Sequence, residues 1–143
     1  MDRYLVVAHR TLVGPHLLAE VARRHEAGDC SFHLVVPVDH PTTARWTEGE
    51  VEVRARERLE EGLARFRDLG ARCDGEVGDH HPVAAIGDAV RDAANRGEPF
   101  TEVLLSTLPP GPSRWLRLDV VSRAREQVDV PITHLVAETA DVP

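Results

Sequence analysis

The chain has 143 residues, 42% of them hydrophobic, and a net charge of −7. That length suits one domain with a real core, the apolar residues recur from end to end as disorder does not allow, and no apolar run approaches the ~18–20 residues of a membrane span. All 17 basic residues are arginine, so a Walker lysine and Schiff-base chemistry are excluded, and the acidic balance argues against nucleic-acid binding.

The first residues carry neither the basic nor the long apolar segment of a secretory signal, so a cytoplasmic location is expected. Residues 4–8 (YLVVA) are uniformly apolar, as in a strand covered on both faces. Gly14-Pro15 then opens a helix, with glycine at the cap and proline in the first turn. Leu17, Leu18, Val21 and Ala22 give it one apolar face. Residues 32–38 (FHLVVPV) read as the second strand. A loop with Pro41 and Trp46 follows, and Thr47 to Glu50 has the T-x-x-E spacing of a capping box. The long helix behind it turns Val51, Ala55, Leu59, Leu63 and Phe66 inward. Its charged side reads as a solvated face.

Residues 71–77 form a weaker strand, broken by Gly75. The loop Gly78 to His81 leads to Pro82 in the first turn of a third helix, whose apolar face is Val83, Ile86, Ala89, Val90 and Ala93. Residues 100–106 (FTEVLLS) are the fourth strand. A Pro/Gly-rich loop runs from Thr107 to Leu118, Asp119 caps a short helix through Gln127, and residues 131–137 (PITHLVA) are the fifth strand. Strict alternation of strand and helix argues for a single doubly wound α/β domain. Its sheet is parallel, with helices on both faces.

Ligands of such sheets bind at the carboxyl ends of strands, where strand order reverses. The loops His9 to Val13, Asp39 to Trp46, Asp79 to His81 and Ser106 to Leu118 therefore concentrate the chemistry. In the last of these, backbone N–H groups, Ser113, Arg114 and Arg117 suit an anion held against the following helix. A proline-stiffened connection is the competing reading, because proline removes N–H donors. His9 and Arg10 stand at the end of the first strand. His9, Asp39, His40, Asp79 and His80 share the same rim, and His with carboxylate suits zinc, manganese or iron. Asp79-His80-His81 also spells the DHH triplet of a phosphoesterase family, without that family's further aspartate motifs or second domain. His16, His25, His33 and His134 fall inside helix or strand patterns and read as structural. Cys30 and Cys73 read as small buried apolar residues. No nucleophile elbow, CxxC or HExxH is present.

Nearly the whole chain, from Arg3 to Ala137, resembles the universal stress protein family. The resemblance rests on the five-strand alternation and on the segment VLLSTLPPGPSRWLRLDVVSRAREQVDVPITHLV. In that family a fourth strand leads into G-x-x-G-x9-G-[ST], a helix, and a closing turn into the last strand. Here Ser106 stands at the first glycine, Pro109 at the second, Asp119 at the third and Val120 at the Ser/Thr. Val130-Pro131-Ile132 matches the closing turn. Family members also carry an aspartate at the end of the first strand, where this chain has Ala8-His9.

The resemblance implies an adenine-nucleotide alpha hydrolase-like fold with a five-stranded sheet of order 3-2-1-4-5. It implies a divergent bacterial member whose ATP motif is degraded, and members without the glycines generally do not bind ATP, so no cofactor is assigned and ATP or AMP is left as a candidate ligand. The nucleotide- or anion-binding candidates are Ala8, His9, Arg10 and Val38, together with Ser106, Thr107, Pro109, Gly111, Ser113, Arg114, Arg117, Asp119 and Val120. It further implies a homodimer through the last strand, whose Ile132, His134 and Val136 share one face. The leading function is a non-catalytic stress-protein-like domain with a degenerate pocket. The alternative is a small metal-dependent phosphoesterase using His9, Asp39, His40, Asp79 and His80.

Overall fold

The computed structural model describes residues 1–8, 11–12, 14–38, 48–79, 81–107 and 118–136. Several positions singled out above lie outside them: His9, Arg10, Asp39, His40, Thr47, His80, Pro109, Gly111, Ser113, Arg114 and Arg117.

The elements run β1 (Asp2–Val7), α1 (Pro15–Ala27), β2 (Cys30–Pro37), α2 (Glu48–Asp68), β3 (Arg72–Gly78), α3 (Pro82–Asn95), β4 (Glu102–Thr107), α4 (Leu118–Gln127) and β5 (Ile132–Val136). The five strands form one sheet in the order β3-β2-β1-β4-β5, and each adjacent pair is parallel. This is the doubly wound order that the family resemblance implies.

Alternation along the strands builds two cores. Tyr4, Val6, Phe32, Leu34 and Leu104 face Leu17 and Val21 of α1 and Ala55, Leu59, Leu63 and Phe66 of α2. Phe32 stacks on Tyr4 at 5.4 Å and meets Phe66 edge-on at 5.9 Å. On the opposite face Leu5, Val7, Val35, Val103, Leu105 and Ile132 pack against Ile86, Ala89 and Ala93 of α3 and Val121 and Ala124 of α4. Both faces of the central strands are thus dry, which is why β1 reads as an unbroken apolar run.

Helix boundaries follow local chemistry. Gly14 and His81 are N-caps, each followed by proline in the first turn. Gly70 and Gly97 take φ of 87° and 75° just beyond α2 and α3, the left-handed conformation that ends helices at low steric cost. Two expectations need correction. Gly75 does not break β3, which continues through it to Gly78. Asp119 does not precede α4, which already begins at Leu118.

Candidate functional site at the carboxyl ends of β1 and β4

In the observed order β1 lies between β2 and β4, so the chain reverses its winding at β1, and doubly wound folds have their ligand crevice at such a point, beyond the carboxyl ends of the two strands. Ala8, fully buried, closes β1, and its N–H donates to the Val35 carbonyl at 3.3 Å. Thr11 then turns the chain toward α1, its carbonyl accepting from Gly14 N–H at 3.1 Å.

Among the described residues, the buried polar side chains are Thr11, Ser106 and Thr107, at 1%, 1% and 4% exposure. All three stand at this end of the sheet. Burying a hydroxyl costs free energy unless it is hydrogen-bonded, and here each is. Ser106 Oγ lies 2.7 Å from Thr11 Oγ1 and 2.9 Å from His16 Nε2. Thr107 Oγ1 lies 2.6 Å from His134 Nε2. Because successive strand residues point to opposite faces, the end of β4 offers one hydroxyl to each layer, and an imidazole meets each.

These contacts bring in two histidines, His16 from a helix pattern and His134 from the expected dimer edge, that the sequence does not place among the ligand candidates. His16 is the second residue of α1, directly after Gly14-Pro15. The signal available was its place on the first helical turn after β1, where a doubly wound fold puts its ligand. His134 sits across from Leu105 on β5. Burial, and then the positive charge of Arg125, push its pKa below the ordinary histidine value. It is therefore neutral at pH 7.

A serine 2.9 Å from an imidazole has nucleophile–base spacing. Ser106 is nevertheless 1% exposed, with Thr11 against its other side. The arrangement therefore suits positioning and hydrogen bonding rather than attack on a substrate.

Of the remaining candidates, Val38 is half-buried and donates its N–H to the Gly78 carbonyl at 3.3 Å. Val120 is buried at 9%. Asp79 lies beyond β3, at the sheet edge and two strands from β1. Its Oδ1 accepts from His81 N–H at 2.8 Å and lies 3.1 Å from His81 Nδ1. Among the described residues no group of three or more His, Cys, Asp or Glu is placed to hold a metal ion. Both thiols are held protonated, since burial pushes the pKa of Cys30 and Cys73 up, and neither is a reactive nucleophile. No helix among the described residues is long and apolar enough to cross a membrane.

No protein-family model matches the sequence, and no curated protein does. Solved structures do. A universal stress protein from Archaeoglobus fulgidus matches with a TM-score of 0.63 at 12% identity, over 94% of this chain and 93% of that one. A universal stress protein family member from Burkholderia pseudomallei matches with a TM-score of 0.62 at 14% identity, over 96% of both chains. One from Arabidopsis thaliana, with AMP bound, matches with a TM-score of 0.61 at 9% identity, over 97% of this chain and 94% of that one. Over nearly its whole length, this chain has the fold of the universal stress proteins.

Proposed function

We propose that the protein is a divergent universal-stress-protein-like domain of the cytoplasm. It is non-catalytic, dimeric through β5, and takes an adenine nucleotide or a simple anion in the crevice beyond β1 and β4. The observation that supports this reading is that Thr11, Ser106 and Thr107, the buried polar side chains among the described residues, all stand at that end of the sheet. The Arabidopsis structure of the same fold holds AMP, which makes an adenine nucleotide the first ligand to test.

The mode of binding differs from one built on glycines. Ser106 and Pro109 stand where glycines would let the backbone approach phosphate, and Pro109 has no N–H to donate. The reading instead gives the anion to Arg114 and Arg117, the charged side chains between Ser106 and Leu118. Charge-assisted guanidinium forks then replace backbone donors.

A thermal-shift titration with AMP, ADP, ATP and simple anions tests this. A ligand at a hundred times its Kd stabilises the folded state by about 2.7 kcal/mol. The rise should shrink in Arg114→Ala/Arg117→Ala. A melting temperature unmoved by every one of these ligands would overturn the reading.

A further inference from the structure

At the opposite end of the sheet a cleft of about 370 Å³ opens beside the first residues of β1, β2 and β3. Its floor follows from the strand register. Arg3 pairs with Ser31, and Ser31 pairs with Arg72, so one row across three strands reads Arg-Ser-Arg. Phe100, buried at 6%, lies under the Arg3 guanidinium at 5.8 Å and stacks with the His33 ring at 6.0 Å. Arg96 reaches the same cleft from just beyond α3.

Three arginines, Arg3, Arg72 and Arg96, line this cleft. Its carboxylates are Asp74 and Glu98. Asp74 is engaged by His33 Nδ1 at 2.8 Å, Glu76 beside the cleft by His33 Nε2 at 2.9 Å, and Glu98 pairs with Arg3 at 3.0 Å. Arg72 and Arg96 have no ion pair or hydrogen bond through their guanidinium groups among the described residues, and the Ser31 hydroxyl has no partner there either. Two guanidinium groups and a hydroxyl without partners among the described residues thus line one cleft in a protein of net charge −7. Arginine forks match the geometry of phosphate oxygens, and the volume sits at the small end of ligand pockets, enough for a phosphate with a modest organic body.

We propose that this cleft is a second ligand site, for a small phosphomonoester whose phosphate sits over Ser31 between Arg72 and Arg96. Arg3, already held by Glu98, orders the wall beside it. The site is independent of the crevice beyond β1 and β4, because the two lie at opposite ends of the strands.

Calorimetric titration with phenyl phosphate, and separately with inorganic phosphate, tests the assignment. The probes go into wild type, Arg72→Ala/Arg96→Ala, Ser31→Ala and a charge-matched control, Arg65→Ala/Arg123→Ala. All four arginines are exposed, so the fold survives their loss, and melting curves verify it. Phenyl phosphate should bind wild type and the control alike, and at least about tenfold more weakly to Arg72→Ala/Arg96→Ala. Ser31→Ala should show a smaller loss. Inorganic phosphate should follow the same ranking with weaker binding. Failure of wild type to bind phenyl phosphate at millimolar concentration would overturn the proposal. So would binding that survives in Arg72→Ala/Arg96→Ala, which would move the phosphate elsewhere on the protein. Binding of inorganic phosphate alone would overturn the ester.

Discussion

Ser106 Oγ and His16 Nε2 lie 2.9 Å apart although ninety positions separate them in the chain. The contact joins the end of β4 to the first turn of α1, and Thr11 completes it at 2.7 Å from the same oxygen. One hydroxyl therefore serves two buried or half-buried partners. Ser106→Ala leaves both without it. The expected cost is about 1–3 kcal/mol, the usual penalty for a buried polar group left unsatisfied. Urea unfolding checks this, with the midpoint lowered and the slope unchanged. Adding Thr11→Val should cost less than the sum of the single changes, since the two act in one contact. A neutral Ser106→Ala would mean that water reaches this end of β4.

The sequence made the rim of the sheet legible but not the pairs upon it. Alternating apolar and amphipathic segments yield the strand ends, and the end of β4 puts Ser106 and Thr107 there. Nothing local says that Ser106 meets a helix ninety residues earlier, or that Thr107 meets the edge strand. Those contacts come from the 3-2-1-4-5 order, which short-range pattern alone does not contain. His16 and His134 each sit in a periodic segment, and the partner of each lies in another element.

His134 should make stability depend on acid in a definite direction. Burial and Arg125 lower its pKa in the folded state from the ordinary 6.5. As pH falls through 6.5 the unfolded chain takes up a proton that the folded protein refuses, so folding stability falls. The loss continues until the folded form also protonates. Above 6.5 the residue is neutral in both states and contributes no slope. His134→Gln retains a partner for Thr107 but cannot titrate. Melting temperatures from pH 8 to pH 5 should drop more steeply for wild type than for the variant below 6.5. Parallel curves would show that His134 is not held neutral.

Gly75 illustrates a position where local propensity misleads. A glycine inside a weak strand pattern signals a break, yet β3 runs through it. Packing of α2 on β3 explains the residue. A Cβ built on Gly75 would lie 2.6 Å from Leu59 Cδ1 of α2 and 2.7 Å from the Leu34 backbone oxygen of β2. The leucine tip can yield, but the strand oxygen cannot without disturbing the ladder. Gly75→Ala is expected to destabilise by about 1–3 kcal/mol, the range of overpacked cores. Half-buried Gly87, with nothing within 4 Å of an added Cβ, offers a contrast inside α3. Gly87→Ala should stabilise by up to about 1 kcal/mol through helix propensity. Opposite signs for the two substitutions, read from denaturant midpoints, are the expected result.

The edge at β5 supplies the test of the proposed dimer. Val103 N–H donates to the Pro131 carbonyl at 2.8 Å. In a parallel ladder alternate residues of a strand bond to the same neighbour, so the N–H groups of Thr133 and Leu135 turn inward to β4. Those of Ile132, His134 and Val136 turn to the free edge. That edge carries no charged residue within β5, and proteins usually shield such a strand with charge, proline or a cover. A second copy of β5, paired antiparallel about a two-fold axis, is the cover proposed here. Val136→Pro removes an outward donor without touching a bond to β4, and proline is tolerated on edge strands. Val136 is 47% exposed in the single chain, so the core is spared. Sedimentation at about 100 μM should give a dimer for wild type and a monomer for Val136→Pro with unchanged circular dichroism, since assembly depends on protomer concentration. A wild type that sediments as a monomer there ends the proposal, and a variant that remains dimeric moves the interface away from this strand.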